Sequence, residues 1–270
     1  MAVSTVTSTT TVIPQPVYRN EEYTVAGIVL KFFDEKAKDI AKALGYTGFW
    51  AGQIAPGLPP EVKSFSATMG EFKNFISATE VPKKTVEAFA AFSALWANVS
   101  SPTGSATKAW AALGEAFTKA AAWTNSVVDG VDFSSRFVAI DTSVMTWLKG
   151  TSFAATLGSS AKGAWEQIQK ISNAVAAETT KTSFYVISFL RDTSYALLGA
   201  KGLFCILTAT PMVPWMMVGL LTAGLTFTIG GYFYEKLYDP EGKGKNLNPD
   251  VVIANNLARR DYQQRTGVTV

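Results

Sequence analysis

Residues 202–234 read GLFCILTATPMVPWMMVGLLTAGLTFTIGGYFY and hold no charged side chain. A bilayer core of about 30 Å is crossed by roughly 20 apolar residues in helical form. Residues 215–234 meet that length on their own. Lys201 closes the run on one side; Glu235 and Lys236 close it on the other. Trp215, Tyr232 and Tyr234 stand near its ends, where amphipathic rings favour the headgroup layer. The stretch is expected to be embedded in a membrane, with Trp215, Gly219, Ala223, Gly230 and Tyr234 among its embedded residues. Gly219 and Ala223 are four apart, as are Thr226 and Gly230, a spacing at which small residues let helices approach closely in lipid. The competing reading is the buried helix of a large soluble core, although such helices rarely run so long without a charge.

Just before this run, residues 183–199, SFYVISFLRDTSYALLG, are apolar on most sides and interrupted by Arg191 and Asp192. Adjacent helical residues do not face one another, so these two are expected to need other partners or water. Two arrangements stay open. One is a membrane hairpin: a first arm to about Thr208, an uncharged turn over 208–214 (TATPMVP), and 215–234 as the second arm. The other is a single span. Lys and Arg flank the pair and none lies in the turn, which fits a hairpin with both termini on one side.

The N-terminal half carries helical periodicity. In residues 21–44, Val25, Ile28, Val29, Phe32, Phe33, Ile40 and Leu44 recur at three- and four-residue steps, and the charges fall mostly elsewhere. Val25, Ile28, Phe32, Phe33 and Ile40 form the candidate amphipathic face, suited either to a core or to a membrane surface. Residues 45–60, GYTGFWAGQIAPGLPP, are expected to be a loop anchored by Phe49 and Trp50. Further helices are expected over 61–79, 85–97, 106–128 and 133–148, and from Phe153 to about Ala177. Their breaks fall at 79–82, at the Ser/Pro/Thr/Gly cluster 100–105, at Asp129-Gly130 and at Lys149-Gly150-Thr151. No stretch alternates with a two-residue period. The class is therefore all-α: a helical bundle of about six amphipathic helices, then a C-terminal transmembrane hairpin or single span.

Four regions follow: a flexible or extended arm (1–20), the helical bundle (21–180), the membrane-embedded segment (181–238), and a polar tail with a short helix (239–270). The arm has one Arg, no acid and no apolar core of secretory type. A plain arm and an organelle-targeting or type III secretion leader both suit it.

Composition restricts the chemistry. The 270 residues are 48% apolar and 17% charged, with a net charge of +3, too small a surplus to argue for nucleic acid. Histidine is absent, so no His base or ligand exists, and Cys205 is the single cysteine. Zinc sites of the Cys/His kinds and an intramolecular disulfide are excluded. No phosphate-binding loop, nucleophile elbow or dinucleotide fingerprint is present. The expectation is no enzyme: no catalytic, cofactor-binding or metal-binding residues, and no cofactor. The expected partners are the lipid bilayer and either protein partners in a membrane complex or further copies of the chain. An organelle membrane is the favoured location.

Three stretches suggest a relative: the amphipathic segment 21–44, the Phe-spaced LPPEVKSFSATMGEFKNF that follows it, and SFYVISFLRDTSYALLG leading into the Gly-rich final span. Their order resembles the PEX11 family of peroxisomal membrane-shaping proteins. That resemblance implies membrane elongation or curvature by an amphipathic N-terminal helix, without catalysis. A bacterial effector of the Inc kind, inserted in a host membrane, looks similar in outline. The residues themselves favour a non-catalytic integral membrane protein acting as a structural or assembly subunit of a larger membrane-associated complex.

Overall fold

The computed structural model describes residues 25–55, 57, 59–101, 105–174, 179–238, 240, 241, 257 and 264. Among them the chain forms seven helices and no strand: α1 Val25–Glu35, α2 Ala37–Ile54, α3 Pro60–Ser100, α4 Ala106–Ser134, α5 Thr142–Ser172, α6 Thr179–Leu207 and α7 Pro214–Tyr238. The N-terminal arm and most of the tail helix expected at 250–265 lie outside the described residues.

From α3 onward each helix packs against the one before it, running the opposite way, and α7 returns to α2. Side-chain pairs fix the register. Lys38 meets Glu80 across α2 and α3. Lys119 meets Glu87, and Ser77 donates to Asp129, across α3 and α4. Asn125 donates to Thr156 across α4 and α5, and Lys170 lies over the Tyr185 ring across α5 and α6. Phe184 stacks on Tyr234 across α6 and α7, and the Trp50 indole donates to Thr222 at 3.0 Å, tying α7 to α2.

Helix boundaries differ from the sequence expectation at five places, and packing bears on all but the first. The 21–44 helix is broken at Lys36, which separates α1 from α2. The expected loop at 45–60 is helical through Ile54. Gly48 there serves close approach rather than a turn, since a Cβ on it would lie 2.3 Å from the Ser66 Cβ, whereas a Cβ on Gly52 would meet nothing within 4 Å. The expected break at 79–82 is absent, and α3 continues through Pro82. Proline inside a helix costs about 3 kcal/mol. Contacts with α4 on both sides of it offset that cost: Ala78 beside Gly130 and Lys84 on Ser126. The expected break at Asp129-Gly130 is absent too: α4 runs on to Ser134, and a Cβ on Gly130 would lie 3.3 Å from the Ala78 Cβ of α3. The rest of the expected 133–148 helix and the one expected from Phe153 are one element, α5, which starts only at Thr142. Asp141 starts it by accepting the Ser143 backbone N–H at 2.7 Å, and Gly150 is spent on contact with Ile206. Five helices therefore stand where six were expected before α6.

The turn from α6 to α7 has one special residue. Ala209 adopts φ 52°, the left-handed region. The Thr210 N–H reaches the Cys205 carbonyl at 3.0 Å, and the Ala209 N–H reaches the Ile206 carbonyl at 3.3 Å. This is the Schellman pattern, in which glycine normally fills Ala209's place. Ala209→Gly should raise stability by about 1 kcal/mol in denaturant titration; an unchanged or lower midpoint would contradict the strain.

Large and small side chains are distributed inversely to a water-soluble bundle. The buried positions along α3 and α4 are mostly Ala and Ser, namely Ser77, Ala88, Ala91, Ala116, Ala121 and Ser126, with Thr124 and Val128 beside them. The aromatics point outward, with Phe89 76%, Trp96 73%, Trp110 72% and Trp147 78% exposed. Small residues in the seams let the helix axes come close, and the large rings are left on the outside. Cys205 on α6 is buried.

Candidate functional site

α7 is long and apolar enough to cross a membrane, and it is the one described helix that meets this test. At about 1.5 Å per residue, its 25 residues exceed a hydrocarbon core of about 30 Å. Only 22% of its most apolar window is buried within the molecule, unlike the core helix of a soluble protein. The expected embedded residues fall along it. Trp215 is 62% exposed at the start, and Gly230 is exposed with open space beside it. Gly219 faces α2, where a Cβ would meet Trp50 at 3.9 Å. Ala223 is half-buried, and Tyr234 lies between the Phe184 and Tyr238 rings.

The candidate amphipathic face meets this same helix. Ile28 and Phe32 are buried against Tyr232, and the Phe32 ring lies 5.3 Å from that of Tyr232 and 5.0 Å from that of Phe233. The Tyr232 hydroxyl donates to Glu35 at 3.1 Å. Ile40 packs at the edge of the cluster, and Phe33 points away and is exposed. The Val25 side chain lies outside the described residues. Two residue sets that are far apart in sequence thus form one contact at the C-terminal end of α7.

Arg191 and Asp192 correct an expectation. The Arg191 Nε donates to the Asp192 carboxylate at 2.8 Å, so these neighbours do pair. Asp192 is buried on α6 against Gly163 of α5, where a Cβ would fall 2.6 Å from its Oδ2. The flexible Arg side chain bends back along its own helix, which a rule about Cβ directions does not capture.

Sequence reasoning missed a charged cluster inside the α2–α3–α4 seam. Lys38 pairs with Glu80 at 3.2 Å and approaches Asp129 at 4.0 Å. Lys73 pairs with Asp129 at 2.5 Å, and Lys84 pairs with Glu80 at 2.7 Å. Ser77 and Ser126, both fully buried, donate to Asp129 and accept from Lys84 respectively. Helical spacing places Lys73, Ser77, Glu80 and Lys84 on one face of α3. That face could have been read from the sequence; its partners on two other helices could not.

Burial, together with the nearby Lys84 and Lys42 ammoniums, pushes Lys38 down to about 8, against the pull of Glu80 and Asp129. Burial pushes Lys73 down as well. The unfolded chain holds the Lys38 proton up to the ordinary lysine range, so between pH 8 and about 10.5 it binds more protons than the folded chain. Stability from this group therefore rises with pH across that window. Lys38→Met should raise stability at pH 7 by on the order of 2 kcal/mol and flatten the rise toward pH 10. Glu80 keeps Lys84 and Asp129 keeps Lys73 in the variant. Denaturant titrations at pH 7 and pH 9.5 check this; a destabilised variant with an unchanged pH slope would refute it.

No protein family, curated protein or solved structure matches the chain.

Proposed function

We propose that the chain is a non-catalytic integral membrane protein that serves as a structural or assembly subunit of a larger membrane-associated complex. α6 and α7 act as a membrane hairpin, and the outward faces of α3 to α5 receive protein partners or further copies of the chain. An organelle membrane is the favoured setting. The observation supporting this reading is the inverted distribution of side chains: rings such as Phe89, Trp96, Trp110 and Trp147 lie outside while small residues fill the seams. Contiguous exposed apolar surface of this kind marks an interaction site, and aromatic residues are enriched where partners dock.

Mild detergent extraction from the native membrane, followed by mass measurement of the detergent-solubilised particle, tests it. The expected particle is heavier than one 29.0 kDa chain. A combined Phe89→Ser and Trp96→Ser variant, with unchanged helicity, should release the partners. A monodisperse single chain from native membranes would overturn the proposal.

A further inference from the structure

A cleft of about 360 Å³ opens where α2, α3 and the end of α4 meet Val218 of α7. Lys42, Lys73 and Arg136 reach it from three separate segments. Each already has one carboxylate: Lys42 has Asp39 at 3.4 Å, Lys73 has Asp129 at 2.5 Å, and Arg136 has Glu71. Charge is therefore nearly balanced, but donors are not. An ammonium has three N–H groups and a guanidinium five. Lys42 spends one N–H on a long bond to Asp39. Arg136 spends one nitrogen on Glu71, and Lys73 has a further acceptor only in Asn74 at 2.9 Å. Tyr46 also lines the cleft, and its hydroxyl has no hydrogen-bond partner among the described residues. Its surroundings are dry enough that burial pushes the phenol above its ordinary range.

A surplus of N–H and O–H donors around one space calls for an acceptor with several oxygens. The rest of the lining mixes the Glu71 carboxylate, already held by Arg136, and the polar Asn74 and Ser66 with Ala41, Gly45, Phe49, Ala67, Gly70 and Val218. A Cβ on Gly70 would meet nothing within 4 Å, so the cleft owes part of its room to that glycine. Polar donors that share one lining with Phe49 and with Val218 of α7 match an amphiphile, whose chain can pass Phe49 and Val218.

We propose that this cleft binds the phosphate group of an anionic lipid, with Lys42, Lys73, Arg136 and Tyr46 as donors. The site stands on the cleft's own geometry; only the lipid as the source of the phosphate rests on the membrane reading. The phosphate takes the N–H groups that the carboxylates leave unused, and a tetrahedral oxyanion can accept from several directions at once. Phosphatidylcholine carries the same phosphate beside a cationic group and should bind more weakly.

The full chain in detergent, with dioleoylphosphatidylglycerol, dioleoylphosphatidylcholine or inorganic phosphate added separately, provides the test by native mass spectrometry and thermal unfolding. Phosphatidylglycerol should be retained and should raise Tm. A combined Lys42→Gln and Arg136→Gln variant should weaken its binding at least tenfold, and Tyr46→Phe should weaken it several-fold. Gly70→Leu, which fills the cleft and leaves every charge in place, should also block binding, and it covers the case in which the double variant fails to fold. An equal Tm rise with inorganic phosphate alone would retain the site and overturn the lipid as its source. Unchanged phosphatidylglycerol binding in both the double variant and Gly70→Leu, or no binding to the unmodified chain, would overturn the site. A chain that stays in the aqueous supernatant yet binds phosphatidylglycerol through these residues would sink the membrane reading alone.

Discussion

Gly199→Val should break the contact between α5 and α6 and cost about 3 kcal/mol or more, enough to unfold a marginal bundle. The reason is geometric. A Cβ at Gly199 would lie 2.6 Å from the Leu157 backbone nitrogen and 2.8 Å from the Phe153 carbonyl oxygen. Both are main-chain atoms of the facing helix, so no rotamer change relieves the clash and the whole helix has to move. Gly202, one turn further along, abuts the Phe153 side-chain ring, at 2.4 Å from a hypothetical Cβ. Gly230→Val is the matched control, because nothing lies within 4 Å of a Cβ there. It should stay within about 0.5 kcal/mol of the unmodified chain. Helicity against denaturant, read for both variants in the same detergent, decides the matter. Equal loss, or no loss at Gly199, would show that the two helices are not packed at this distance.

Paired arginines on α7, at Thr226 and Gly230, should remove the chain from the membrane pellet. These positions are four apart, so they share one face, and both are exposed. On the surface of a water-soluble protein, such changes are worth within about 0.5 kcal/mol. At the middle of a bilayer, each arginine costs about 2.5–3.5 kcal/mol on insertion scales. The same substitution is thus nearly silent in one environment and disabling in the other. Alkaline carbonate washing of membranes from cells making each form gives the answer. If the double variant stays in the pellet as firmly as the original, α7 does not face lipid.

The sequence carried the all-helical class and α7 plainly, since an ionless run of that length has few other outlets. The stretch 183–199 lies inside α6, but the ends of α6 were less legible: the helix begins at Thr179 and runs through Lys201 into the apolar run before it stops at Leu207. Helix breaks were not. Gly48, Gly150 and Pro82 are breakers by local rule, yet Gly48 sits where a neighbouring helix comes too close for a side chain, Gly150 lies in ordinary contact with Ile206 of α6, and Pro82 lies inside α3 between contacts with α4. A glycine that opens a turn and one that admits a neighbour are identical in a one-dimensional pattern. The charged seam was hidden for a related reason. Nothing in the local pattern marks Lys38, Lys73 and Lys84 as buried, and their partners Glu80 and Asp129 become neighbours only after α2 and α4 fold against α3. The pairing of Arg191 with Asp192 escaped because side-chain flexibility, not helix phase, brings the groups together.

Cys205 is the molecule's lone thiol, and it is 6% exposed within α6. A shielded sulfur reacts only during the moments when its surroundings part. The rate at which a small maleimide labels the protein is therefore a clock for the breathing of α6, already installed and free of competing signals. Bound lipid, a docked partner or a tighter α5–α6 seam would each slow that clock without any engineered probe.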